Sequence, residues 1–112
     1  MIDCTKKNGI GVVRVQNALT AATVDAFREQ LTAWQETESD VRNFVVDLEA
    51  VDFMDSAGLG TLIATLKRIT ERGGDLKLAR LQKKPRMVFE ITRAHKVFEI
   101  YNSVDDALRA FA

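Results

Sequence analysis

Residues 42–48, Arg-Asn-Phe-Val-Val-Asp-Leu, place three strand-forming apolar residues in a row at Phe44-Val45-Val46. Successive side chains of a strand point to opposite faces, so an unbroken apolar run needs cover on both. A parallel strand flanked by packed layers meets that need. The neighbouring segments have the spacing to build those layers. Val24, Phe27, Leu31 and Trp34 form one helical stripe, with Asp25, Arg28, Glu29 and Glu36 on the other face. Leu59, Leu62, Ile63, Leu66 and Ile69 form a second stripe and predict a helix over about 57–72, ended by Gly73-Gly74.

The remaining segments extend the alternation. Residues 10–16 read as a β-branched strand, with 2–5 as a short edge partner and QNALT as the following turn. LKLARL (76–81) and KVFEIY (96–101) read as two more strands. Pro85 suits the first turn of a third helix through Val88, Phe89 and Ile91. Ser103, with Asp105 and Asp106 behind it, caps a terminal helix holding Leu108 and Phe111. Two strands, three helix–strand pairs and a closing helix predict an α/β fold with a mostly parallel mixed sheet of four to five strands.

Composition narrows the function classes. The 112 residues suit one domain, and 46% hydrophobic content is enough for one core. Sixteen basic residues balance sixteen acidic ones, so no overall charge draws the chain to nucleic acid or an anionic membrane. A single cysteine, Cys4, rules out an internal disulfide and fits a reducing compartment. MIDCTKKNGI lacks the apolar core of a signal peptide, and no apolar run approaches the ~20 residues of a membrane helix. A cytoplasmic location is expected.

The most distinctive polar group is Asp55-Ser56-Ala57-Gly58-Leu59-Gly60, between strand and helix. Unpaired N–H groups and a partial positive charge collect at a helix N-terminus and suit an anion or an acquired phosphate. Ser56 as a helix cap accounts for one member of the Asp55–Ser56 pair, and Asp55 is placed to orient the Ser56 hydroxyl. Gly58 and Gly60 leave the first turns bare, either for tight packing on the sheet or for a partner's approach. Ala57, Thr61, Ala64, Thr65 and Arg68 continue a face of small and polar groups. A Walker loop fails because no lysine precedes Lys67, and Ile63 stands where a dinucleotide fingerprint needs its third glycine. His95 and Cys4 have no ligand cluster around them, so no metal site is expected. Arg80, Lys83, Lys84 and Arg86 read as a solvated basic loop.

The stretch VVDLEAVDFMDSAGLGTLIATLKRITERGGDLKLARL, with KVFEIYNSVDDAL near the end, resembles the anti-sigma factor antagonists, a family of STAS domains. The resemblance spans essentially the whole chain and implies a small sheet with helices mainly on one side. It makes Ser56 the site phosphorylated by a cognate anti-sigma factor, an ATP-using serine kinase. It implies that the unphosphorylated form binds that kinase and frees its sigma factor, and that a PP2C-type phosphatase restores the binding form. The chain would then be a substrate and switch with no catalytic residue or cofactor of its own. Asp55, Ser56, Ala57, Gly58, Gly60, Thr61, Ala64 and Thr65 would meet the partner, together with Leu19 and Thr20. One departure stands in that loop. Asn17 and Thr20 replace the glycine and the acid of the family's Gly-x-Leu-Asp type turn, while Leu19 and Thr23 remain. Related domains act in stressosomes, secretion regulators and lipid-transport complexes, so a non-phosphorylated assembly subunit is the alternative expectation.

Overall fold

The apolar run at 44–46 becomes the central strand of a five-stranded sheet. The computed structural model describes residues 1–112 and contains β1 (Ile2–Lys7), β2 (Ile10–Val15), α1 (Val24–Thr37), β3 (Phe44–Asp47), α2 (Ser56–Glu71), β4 (Leu76–Ala79), α3 (Lys83–Ile91), a 3-10 turn (Ala94–Lys96), β5 (Ile100–Tyr101) and α4 (Val104–Arg109). Spatial order follows chain order, β1-β2-β3-β4-β5. Only β1 runs antiparallel to its neighbour; the other three pairings are parallel. Asn8 and Gly9, both at positive φ (55° and 79°), make the two-residue hairpin turn that fixes the β1–β2 register.

Strand alternation sorts the core into two layers. Val13, Val15, Phe44, Val46, Leu76 and Leu78 share one cluster with Phe27 and Leu31 of α1, Leu59, Leu62 and Ile69 of α2, and Phe89 of α3. Ile10, Val45 and Ala79 point to the other face and meet Ala107 and Leu108 of α4. Three helices therefore cover one side and α4 alone the other, which is why β3 is buried at every position. Truncating a fully enclosed ring such as Phe44 to alanine would cost about 3–5 kcal/mol.

Several expectations are corrected. The strand expected over 76–81 stops at Ala79, because Arg80 turns into the left-handed region at φ 59°. The last strand is only Ile100–Tyr101, preceded by the 3-10 turn and by a buried Phe98. Ile63 is 39% exposed and leaves the core stripe of α2. The terminal helix ends at Arg109, short of Phe111.

Two cations, Arg80 of the supposed basic loop and Lys77 of β4, are structural. Arg80 donates to both oxygens of the buried Asp47 (Nε–Oδ1 3.0 Å, Nη2–Oδ2 2.6 Å) and to Glu49 (2.9 Å). The contact joins the ends of β3 and β4. Lys77, buried on the α4 face, reaches Glu99 (2.8 Å) and Asp75 (3.1 Å) and lies 4.6 Å above the Phe111 ring. Lys83, Lys84 and Arg86 belong to the first turn of α3, not to a loop.

Candidate functional site: the corner between β3 and α2

The chain leaves β3 at the C-terminal edge of the sheet and enters α2 through residues 48–55. Asp55 is the N-cap, extended at φ −105° and ψ −176°. Its Oδ1 accepts from the N–H of Gly58 at 2.9 Å, satisfying one of the helix's free donors. Its Oδ2 accepts from the N–H of Ala21 at 3.0 Å. One carboxylate thus caps α2 and ties down the loop before α1. These two N–H groups, Gly58 first and Ala21 second, hold its pKa below the ordinary aspartate value.

The loop itself is docked as a short strand. Leu19 bridges Met54 in parallel. Its N–H donates to Phe53 O at 3.1 Å, and its carbonyl accepts from Asp55 N–H at 3.4 Å. That carbonyl lies where a side chain on Gly58 would be, since a Cβ there would stand 2.0 Å from the oxygen. Further along, the side chains of Thr20 and Thr23 both bond the backbone of the turn. Thr20 N–H donates to Thr23 Oγ1 at 3.0 Å, and Ala22 N–H donates to Thr20 Oγ1 at 3.2 Å. Thr23 Oγ1 also donates to Ala18 O at 2.8 Å. The two threonine side chains close the turn ahead of α1, whose N-cap, Thr23, makes no side-chain cap bond. Thr20 supplies the acceptor that an acid would supply in the same turn, without the charge.

Ser56 is the first residue of α2 and exposed. It is not the cap, and Asp55 has both oxygens committed to backbone donors instead of to the serine. The Ser56 hydroxyl therefore faces solvent beside the positive end of a sixteen-residue helix.

The other expected contact residues divide sharply. Gly60 is exposed, and Ala57, Ala64 and Thr20 are half-buried beside it. A Cβ on Gly60 would meet nothing within 4 Å. Leu19, Gly58, Thr61 and Thr65 are buried. Thr65 is only 1% exposed because its hydroxyl bonds inward, to the carbonyl of Thr61 at 2.7 Å. Phe53, 54% exposed two residues before the cap, and Ile63 belong to the accessible surface instead. A large aromatic within a turn that needs none was the available signal for Phe53.

Nothing elsewhere competes as a chemical centre. No group of three or more His, Cys, Asp or Glu is placed to hold a metal ion. Burial, with Asp3 adding to it, pushes the Cys4 thiol up to about 11, which leaves little reactive thiolate at neutral pH. His95 is exposed, with Nδ1 3.3 Å from Phe89 O at the end of α3. The groove between α1 and α2, about 330 Å³, is lined by Thr32, Gln35, Thr65, Arg68, Glu71 and Arg72, with Ile69 its single apolar wall. It lacks the apolar lining of a typical small-molecule pocket, and Ser56 is not part of it. No helix is long and apolar enough to cross a membrane.

A family model described as the STAS domain matches residues 1–107. The chain belongs to the STAS domain family. It is 31% identical over 88 residues to the anti-sigma-B factor antagonist of Bacillus subtilis, covering 79% of this chain and 78% of that one. It is 27% identical to the anti-sigma F factor antagonist of Paenibacillus polymyxa, over 96% of this chain and 91% of the relative. The crystal structure of an anti-sigma factor antagonist from Mycobacterium paratuberculosis superposes with a TM-score of 0.85 at 27% identity, covering 98% and 92% of the two chains. The five-stranded mixed sheet of this STAS domain, with α1–α3 on one face, is the fold that the resemblance implied.

Proposed function

We propose that this STAS domain is a cytoplasmic partner-switching regulator whose unphosphorylated form binds an anti-sigma factor serine kinase and releases its target. Phosphorylation of Ser56 blocks that binding, and a PP2C-type phosphatase reverses it. ATP is bound by the partner, and the chain is its substrate, not an enzyme. The names of its relatives support the class of partner. The observation that carries the reading is the division of labour at the β3–α2 corner. Asp55 does the capping and leaves the adjacent Ser56 hydroxyl exposed, on a backbone already fixed by the Leu19 loop.

Electrostatics explains how one phosphate acts there. It adds about −1.5 to −2 charges at neutral pH. The helix N-terminus attracts that charge and Asp55 repels it, with terms of similar size, so the domain's backbone stays in place. At a docked interface the same charge would be buried without a counter-charge, at a cost of several kcal/mol. A micromolar complex has only about 8 kcal/mol to lose. The switch therefore works by blocking contact. The Asn17–Thr20 departure leaves an ordered turn, because Thr20 and Thr23 side chains bond its backbone.

Incubation with the cognate kinase and ATP should raise the intact mass by one phosphate, mapped to Ser56. An active kinase that leaves Ser56 unmodified refutes the switch. Ser56→Ala should bind like the parent chain, and Ser56→Asp weakly. An assembly indifferent to Ser56→Asp would instead make this chain a structural subunit, as in a stressosome, a secretion regulator or a lipid-transport complex.

A further inference from the structure

The β4–α3 corner opens on the same edge of the sheet as the β3–α2 corner. β3 and β4 are neighbours and parallel, and both following helices pack on the same face. Both N-termini therefore emerge side by side. The second corner breaks local rules that the first obeys. Its N-cap, Gln82, makes no side-chain cap bond, and its first turn carries no acid. Lys83 and Lys84 stand there instead, at the end of a helix that disfavours cations. Rules broken without a structural gain point to function.

The outer face of α3 has its own chemistry. At about 100° per residue, Lys83, Lys84, Met87 and Ile91 fall within roughly one quarter of the helix circumference. That quarter lies opposite the buried Pro85 and Phe89. Met87 is 54% exposed and Ile91 80%. Residues 83–97 hold five Lys and Arg and one acid, Glu90, while the other 97 residues hold 11 Lys and Arg against 15 Asp and Glu. None of those five cations is in an ion pair. Half of the ten Lys and Arg outside ion pairs thus lie on this one short segment of a neutral chain. The patch borders α2, the helix that Ser56 opens. Thr65, Arg68 and Arg72 mark the flank of α2 towards α1. Ile63 falls on the opposite flank, towards α3, and is also exposed.

We propose that Lys83, Lys84, Met87 and Ile91, continued by Ile63, form a second contact for the protein that docks at Ser56, and that this contact selects a partner whose surface is acidic around an apolar centre. The inference rests on the proposed switch and adds the means by which one such chain tells its kinase from others. Ser56 carries the on–off signal, and α3 carries recognition. Lysines at the rim steer an acidic surface and speed encounter. Met87 and Ile91 lose their water on docking and slow dissociation.

The test uses the purified anti-sigma factor kinases of the source organism as probes, with binding measured at low and high salt. Four chains are compared: the parent, Lys83→Glu with Lys84→Glu, Met87→Ser with Ile91→Ser, and Ser56→Asp. The lysine pair should weaken binding at least tenfold and flatten its salt dependence. The Met87/Ile91 pair should weaken it at least tenfold with the salt dependence kept. Thermal midpoints of both should match or exceed the parent's, since neither pair supports the core. Parent-like affinity in both, alongside loss in Ser56→Asp, overturns this inference and leaves the switch standing. Loss in both with no effect of Ser56→Asp removes the switch and keeps the contact surface. No kinase binding by the parent chain refutes both. Sedimentation with phosphatidylserine vesicles, abolished by Lys83→Glu with Lys84→Glu, would make the patch a lipid surface and also overturn the proposal.

Discussion

Two strand-to-helix corners sit side by side on this sheet, and they are built on opposite plans. At β3–α2, Asp55 caps the helix, the Leu19 loop is docked beside it, and a glycine receives the loop's carbonyl. At β4–α3, the Gln82 side chain turns back to donate to Arg80 O and caps no helix N–H, and two lysines oppose the helix dipole, although Asp47 holds Arg80 firmly just before it. The first corner uses its polar groups for rigidity and leaves one hydroxyl free. The second leaves its two lysines for solvent or a partner. A rigid corner suits a modification that must change charge without changing shape. A surface corner suits recognition.

The contrast can be broken most severely at Gly58. Gly58→Ala would drive a Cβ into the Leu19 carbonyl and should cost about 3 kcal/mol, read as a lower denaturation midpoint with loss of loop protection in hydrogen exchange. Asp47→Ala strips Arg80 of its bidentate partner, and a loss of about 2 kcal/mol is expected by urea unfolding. Gly60→Ala should do the reverse of Gly58→Ala. With open space around it, the alanine should gain up to ~1 kcal/mol of helix propensity. Replacing Lys83 by Glu should also raise stability, by about 0.5 kcal/mol, because an acid suits that helix end.

Asp55 adds a pH signature. Its carboxylate is held below the ordinary value in the folded protein, so the folded state binds its proton less readily than the unfolded chain. The stabilisation is present above the unfolded value of about 3.9 and disappears as pH falls through the lower folded value. Asp55→Ala should therefore lower the melting temperature at neutral pH. The gap from the parent should narrow below about pH 4. An unchanged gap would mean that the cap does not depend on the charge.

The sequence conveyed the layers better than the corners. Phe44-Val45-Val46 requires cover on two faces, and three helices on one side with α4 on the other supply it. Element order was legible for the same reason. Element ends were not, because long-range contacts set them. β4 ends where Arg80 turns to meet Asp47, thirty-three residues earlier in the chain. Asp55 and Ser56 are equally good caps by local chemistry, and the choice is decided by the Ala21 N–H arriving from another element. Thr61 and Thr65 looked like a solvent face because they are polar. Thr65 is buried at little cost because its hydroxyl bonds its own helix's carbonyl. Ile63 fits an apolar spacing but lies on the flank, where the stripe meets solvent.

The central claim is that charge at Ser56, and not a change of shape, controls docking. Affinity for the cognate anti-sigma factor kinase, compared between the unmodified protein and the protein stoichiometrically phosphorylated at Ser56, tests it most directly. The account predicts a loss of at least about 100-fold on phosphorylation, or roughly 2.7 kcal/mol. Affinities within threefold of each other would contradict it.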